Sequence, residues 1–358
     1  MAQATIQPWK MSSGYLSSSL YDNTLIFGVL FLALASGFIV LTNPEMFLPV
    51  LFADLWFLGY HHVLSTFTKL AGTKQDRIDN KFLIFVLPFI VLASVSLIHY
   101  SIGSWAIVTI YFFWQWYHYT RQAYGISTFY RRKSGITHSI TPVHLDHAAL
   151  WSMPIWGIVY RCSQGWELFI FQPFWTPNIP SWVNTLVGIV ACGVLALWFV
   201  TKLVDWSKGN LAYAPFFFVI SHHFTFFVGY ILIQDITIGW LVANVWHNAQ
   251  YILFVWLFNQ MRFQSSDTKK QSPILHWLCQ RNPFRTLAYF AFFLILTTLV
   301  YNGLSSGIKM ISGADTVKIT ALMIVVFQTI NFHHYIVDSL IWKARKKSHQ
   351  KILKINEA

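Results

Sequence analysis

Ten stretches of mostly apolar residues succeed one another along the chain, roughly over 24–43, 46–66, 82–101, 103–123, 144–160, 182–205, 212–232, 237–258, 285–304 and 318–342. A membrane-spanning helix needs about 20 such residues. The pattern therefore predicts an all-α, polytopic helical bundle with about ten transmembrane helices. A polar segment over 1–23 precedes it and a basic tail over 343–358 follows it. Residues 144–160 make the shortest span. The run Trp166–Thr176 is rich in aromatics that favour headgroup depth and reads as an interfacial or re-entrant piece. The longest polar connector, about 259–284, is a linker and not a domain. No internal repeat is visible, which argues against a transporter built on inverted repeats.

Composition agrees with the pattern. Charged residues make up 11% of the 358 and hydrophobic ones 55%, where a soluble chain carries about 25% charged residues. The net charge of +12 does not point to nucleic acid, because of where the basic residues sit. With the N-terminus inside, 22 of the 25 lysines and arginines fall in segments on the inner side, leaving Arg161, Lys309 and Lys318 outside. That bias predicts an even number of spans and two cytoplasmic termini. Cys162, Cys192 and Cys279 form neither a disulfide framework nor a thiolate metal motif. The N-terminal segment lacks the features of a cleaved signal, so the first span is expected to be retained.

Histidine placement carries the candidate chemistry. His61, His62, His118, His222, His223, His247, His333 and His334 all lie inside apolar spans. An ionisable residue in the bilayer is costly and usually faces the protein interior with a function. In the ten-span topology these residues occupy one layer, from the inner interface to about mid-membrane. Histidines from several helices at one depth suit the ligands of one metal centre. Asp54 is seven residues before His61 and Asp338 four after His334, so each is expected to share a face with its histidine. Asn244 and Tyr251 flank His247, and Gln115 and Gln122 flank His118. Such residues can orient a metal-bound imidazole. Asp54, Asp338 and Tyr251 are the candidate catalytic or supporting groups.

Plainer readings stand beside this one. A single intramembrane histidine often joins helices by hydrogen bonding. Neighbours in a pair point about 100° apart on a helix, so one of each pair need not reach the centre. His144 and His147 lie at an interface and fit either reading. His99, His138, His276 and His349 read as structural or solvated.

An all-nitrogen site with carboxylates suits iron, copper or zinc. Haem is the rival, since paired histidines can ligate its iron, but so many histidines fit a non-haem centre of one or two ions better. A metal at this depth meets hydrophobic substrates and oxygen. The expectation is a non-haem iron oxygenase or oxidoreductase acting on an isoprenoid, carotenoid or acyl chain, with an electron donor as a further partner. A haem-bearing cytochrome and a transporter or ion-conducting protein are the alternatives.

Two family resemblances follow from these residues. The architecture is similar to that of membrane desaturases and hydroxylases, whose di-iron site lies at the inner face. Here the double histidines and His144-x-x-His147 echo the boxes of that group. The order of motifs resembles the bacteriorhodopsin-related-protein family of carotenoid-cleaving dioxygenases. It is carried by Tyr60-His61-His62-Val63-Leu64, His118, Trp246-His247 with the aromatic-rich run to Trp256, and His333 with Asp338. No acid follows His62, and Tyr251 stands where the third motif of that family has a second histidine. The resemblance implies an iron-dependent oxygenase with ligands among these histidines.

Overall fold

A computed structural model describes residues 9–355, so residues 1–8 of the polar N-terminal segment and 356–358 of the basic tail lie outside the described part. About 80% of the chain is helical. Ten helices overlap the ten apolar stretches: α1 Ser19–Thr42, α2 Pro44–Leu70, α3 Leu87–Ser101, α4 Ser104–Lys133, α5 Val143–Ser163, α6 Ser181–Ser207, α7 Tyr213–Leu232, α8 Ile236–Arg262, α9 Pro283–Ser312 and α10 Thr316–Ile341, with the third stretch broken at Val86 and α4 running ten residues past the fourth. Six of them (α1, α2, α6, α7, α9 and α10) are long and apolar enough to cross a membrane by length and composition. The stretch over 144–160 is a full helix, α5.

Helix α8 is the axis of the molecule. Nearly every residue from Ile236 to Gln260 is buried, polar ones included. It lies between α1 on one side and α2 and α4 on the other. Its crossing with α7 is close because two glycines meet there. A Cβ on Gly239 would strike the carbonyl oxygen of Gly229, and small residues permit such approach between membrane helices. Arg161, expected at the outer face, is buried there. Its guanidinium donates to the carbonyls of Gly229 (2.9 Å) and Gln234 (2.6 Å) and closes the C-terminal end of α7.

Outward faces carry large apolar side chains. Phe31 and Phe38 on α1, Phe89 and Leu97 on α3, Ile189 and Val190 on α6, and Leu299 on α9 are all exposed. A chain that leaves this much aliphatic and aromatic surface uncovered is built for a lipid solvent. The aromatic run over 166–176 folds into a small antiparallel hairpin, Leu168–Phe169 with Gln172–Pro173. Phe169 is wedged among Phe112, Phe174 and Trp240.

The two described ends meet at one end of the bundle. Met11–Ser12 pairs in parallel with Leu211–Ala212, just before α7, and Gly14 packs beside Ser134 at the end of α4. From α4, Lys133 reaches across to the carbonyls of Leu353 (3.2 Å) and Lys354 (2.7 Å). The tail is therefore not a loose appendage. Residues Lys347–Ile352 form a short helix, and Leu353 and Ile355 are buried.

Candidate metal centre

Helices α2, α4, α8 and α10 each bring one histidine to a common point. The nearest donors are His62, His118, His334 and Asp338, all buried, with one ligand atom from each lying within 4.8 Å of the others. His247 closes the group. Its ring centroid is 4.7 Å from that of His62 and 4.9 Å from that of His118. Aromatic rings hold the imidazoles in place. Tyr251 stacks on His62 at 4.0 Å, Tyr335 on His118 at 4.3 Å, and Tyr119 on His247 at 4.1 Å.

A local irregularity in α2 decides which histidine of the first pair turns inward. Asp54–Gly59 is a π-turn, which accommodates about one extra residue relative to α-helical phase. In a regular helix Asp54 would share its face with His61. The π-turn moves that face to His62. Asp54 accepts from Asn244 and, at 3.2 Å, from Asn248, and Asn248 Oδ1 lies 3.0 Å from His62 Nδ1. The expected pairing of Asp54 with His61 is corrected accordingly.

Hydrogen bonding assigns the tautomer of His62. The Asn248 amide nitrogen donates to Asp54, so its oxygen faces His62 and must accept from the Nδ1 proton. His62 Nε2 is then a bare lone pair. On the other side, the indole N–H of Trp342 donates to the Tyr251 hydroxyl (3.0 Å), and that hydroxyl donates to Asp338 (2.8 Å). Thr66 Oγ1 lies 2.7 Å from the Tyr251 hydroxyl, 3.1 Å from His334 Nδ1 and 3.4 Å from Asp338. The Nε2 atoms of His62 and His334 are 2.7 Å apart, within hydrogen-bond distance, and Asp338 lies 3.6 Å from that of His334. His118 Nε2 and His247 Nδ1 are buried without a partner. Orphaned buried nitrogens demand an explanation, and the group fits a metal ion.

The structure draws in one histidine of each of two pairs and leaves four predicted ligands elsewhere. His61 points away from the cluster and stacks on Phe293 of α9. His333 lies 2.8 Å from the carbonyl of Leu83 and stacks against Phe67. His222 and His223 belong to a separate region, because α7 packs on α5 and not on α2 or α10. There His222 meets the carbonyl of Leu150 at 2.9 Å and His223 lies edge-on to Trp198. His147 packs on Tyr124, away from the cluster. Asp338 and Tyr251 sit at the centre, and Asp54 acts on it through Asn248.

Sequence reasoning overlooked Thr66, Tyr119, Tyr335 and Trp342. Thr66 is one turn after His62, and a search for polar residues at that spacing finds it. The aromatic rings carry no such mark among 65 Phe, Trp and Tyr residues. A small cavity of about 70 Å³ adjoins the cluster between His62, His247, Asn331 and Tyr335. It has room for a few waters or a small ligand and not for a porphyrin. Compared with protein-family models, with curated proteins and with solved structures, the chain matches none.

Proposed function

We propose that this protein is a multi-pass integral-membrane oxidoreductase whose non-haem metal, iron in our reading, is held by His62, His118, His247 and His334 with Asp338 beside them. The observation that carries the proposal is the convergence of His62, His118, His334 and Asp338, one buried donor atom from each within 4.8 Å of the others, with His118 Nε2 and His247 Nδ1 unpartnered. Asn248 supports His62 from behind, as proteins orient imidazole ligands. Bound there, an iron ion would supply redox chemistry toward oxygen and a hydrophobic substrate. The order of the four histidines along the chain adds to the likeness with carotenoid-cleaving dioxygenases, with His334 taking the terminal place. Ten spans with both termini in the cytoplasm complete the reading.

The protein's own groups have defined tasks. Asn248 holds the Nδ1 proton of His62, so that its Nε2 faces the centre. Tyr251 donates to Asp338 and keeps one carboxylate oxygen engaged, leaving the other toward His334. Tyr119, Tyr251 and Tyr335 cover the imidazoles and keep bulk water out. Elemental analysis and an absorption spectrum of the purified protein test the proposal. Stoichiometric iron without a Soret band is the expected result. A Soret band would identify a cytochrome, and protein free of both metal and haem would remove the centre altogether.

A further inference from the structure

Two cavities run from the histidine cluster toward the end of the bundle that holds the tail. The larger, about 410 Å³, starts at His118, Tyr251 and Asp338 and opens among Arg121, Arg132, Lys343 and Arg345. The other, about 360 Å³, lies between α4 and α10 and is walled by Trp114, Tyr117, Tyr335 and Ile336. Both cavities include His118, Arg121, Ser339 and Lys343. They meet where two half-buried cations stand within one or two turns of the candidate ligands. Arg121 is three residues beyond His118 and Lys343 five beyond Asp338.

Those cations lack counter-ions. Among the described residues, none of the four basic side chains is in a salt bridge. Arg121 and Arg132 donate to the carbonyls of Ser339 and Ala344. Asp338, at the floor, is the sole carboxylate lining either cavity. Burial and the neighbouring Arg121, Arg345 and Lys346 hold the Lys343 ammonium below its ordinary value. Gln122 Oε1, which also lines the larger cavity, is buried without a partner. The positive-inside bias puts cations in loops at this end of the molecule. It does not place an arginine inside a helix one turn from a metal centre.

We infer that the site takes an amphiphile with an anionic head, a carboxylate or a phosphate, gripped by Arg121 and Lys343, while its apolar chain lies along Trp114 and Tyr117 toward His118. This rests on the metal centre proposed above and names its substrate class. An arginine fork beside a lysine suits such an anion. The cleft between α4 and α10 is walled by Trp114, Tyr117, Tyr335 and Ile336, apolar and aromatic side chains that suit an apolar chain.

The test is saturable binding of radiolabelled palmitate to the metal-loaded protein in non-ionic detergent, competed by hexadecyl phosphate and by hexadecanol. Iron content is measured on the same samples. Both anions should compete, and hexadecanol about tenfold less well or worse, because a charged hydrogen-bonding partner contributes that much. Arg121→Gln combined with Lys343→Gln should weaken palmitate binding by about tenfold with iron unchanged. The charge-preserving pair Arg121→Lys with Lys343→Arg should bind as the parent does. Stronger competition by hexadecyl phosphate would assign a phosphate head, and weaker competition a carboxylate. Equal competition by hexadecanol, unchanged binding in the double glutamine variant, or salt-sensitive docking of an acidic redox protein with no binding of either anion would overturn the inference. Palmitate binding without iron would overturn the metal centre alone.

Discussion

His62 and His61 are adjacent, yet only one can serve the same centre. The side chains diverge by about 100°, and the π-turn at Asp54–Gly59 selects His62. The same divergence separates His334 from His333 on α10. His62→Ala and His334→Ala should each lower bound metal by at least 10–100-fold, the loss typical of even an indirect partner. His61→Ala and His333→Ala should keep it. Metal analysis of the four purified variants checks this, and equal losses across both members of a pair would refute the assignment. Asp338 gives a second contrast. Asp338→Asn removes the charge beside His334 and should deplete the metal with the fold intact. Tyr251→Phe breaks the chain from Trp342 to Thr66 and should have a milder effect of the same sign. Full metal content in Asp338→Asn would reduce the carboxylate to a helix-end residue. The pairs themselves were visible in the chain. Which member faces inward was not, because one extra residue in a helical turn leaves no mark in a string of apolar letters.

Among the elements, the C-terminal segment departs furthest from its reading as a basic tail. His349 is fully buried, with Nδ1 3.0 Å from the carbonyl of Lys343 and its ring against Phe258 and Trp342. Burial, with Lys69 nearby, lowers its pKa from 6.5 to about 4. A lowered value means that the detached segment binds a proton more readily than the docked one. Docking is therefore fully favourable above about pH 6.5 and weakens as pH falls toward 4. Proteolysis near Lys346 and Lys347 should accelerate across that window and lose its pH dependence in His349→Gln. A cleavage rate flat from pH 7 to pH 4 would contradict this. Because Ala344 and Arg345 line the larger cavity, detachment should also open its mouth. Sequence reading missed the docking because Leu353 and Ile355 are two apolar residues among many charges, too few to signal a packed segment.

At the scale of the molecule, both described ends lie at the end of the bundle where α4 finishes and α7 begins. An even number of crossings satisfies that arrangement, and so does the 22-to-3 distribution of basic residues. Reporter fusions at Lys10 and after Lys354 should both report cytoplasm. Opposite reports would leave an odd number of crossings, and the polar helices α4, α5 and α8 would be the first to reconsider as spans. Of those three, α8 carries Asn244, His247, Asn248 and Gln250 near its centre. Its burial by α1, α2, α4 and α7 shields these groups from lipid.

The helical, membrane-spanning character and the presence of buried histidines were legible in the chain. They depend on local quantities: the length of apolar runs, the position of loop charges, and the cost of an imidazole in hydrocarbon. The membership of the cluster was not legible in the same way. It depends on which helices are neighbours, and helices with uniformly apolar surfaces can pack in many arrangements. Small residues at Gly229 and Gly239, the guanidinium of Arg161 and the π-turn of α2 select one arrangement. His222 and His223 satisfy every local criterion that His62 and His334 satisfy. They stand outside the centre because α7 lies against α5, a long-range choice that no single segment encodes.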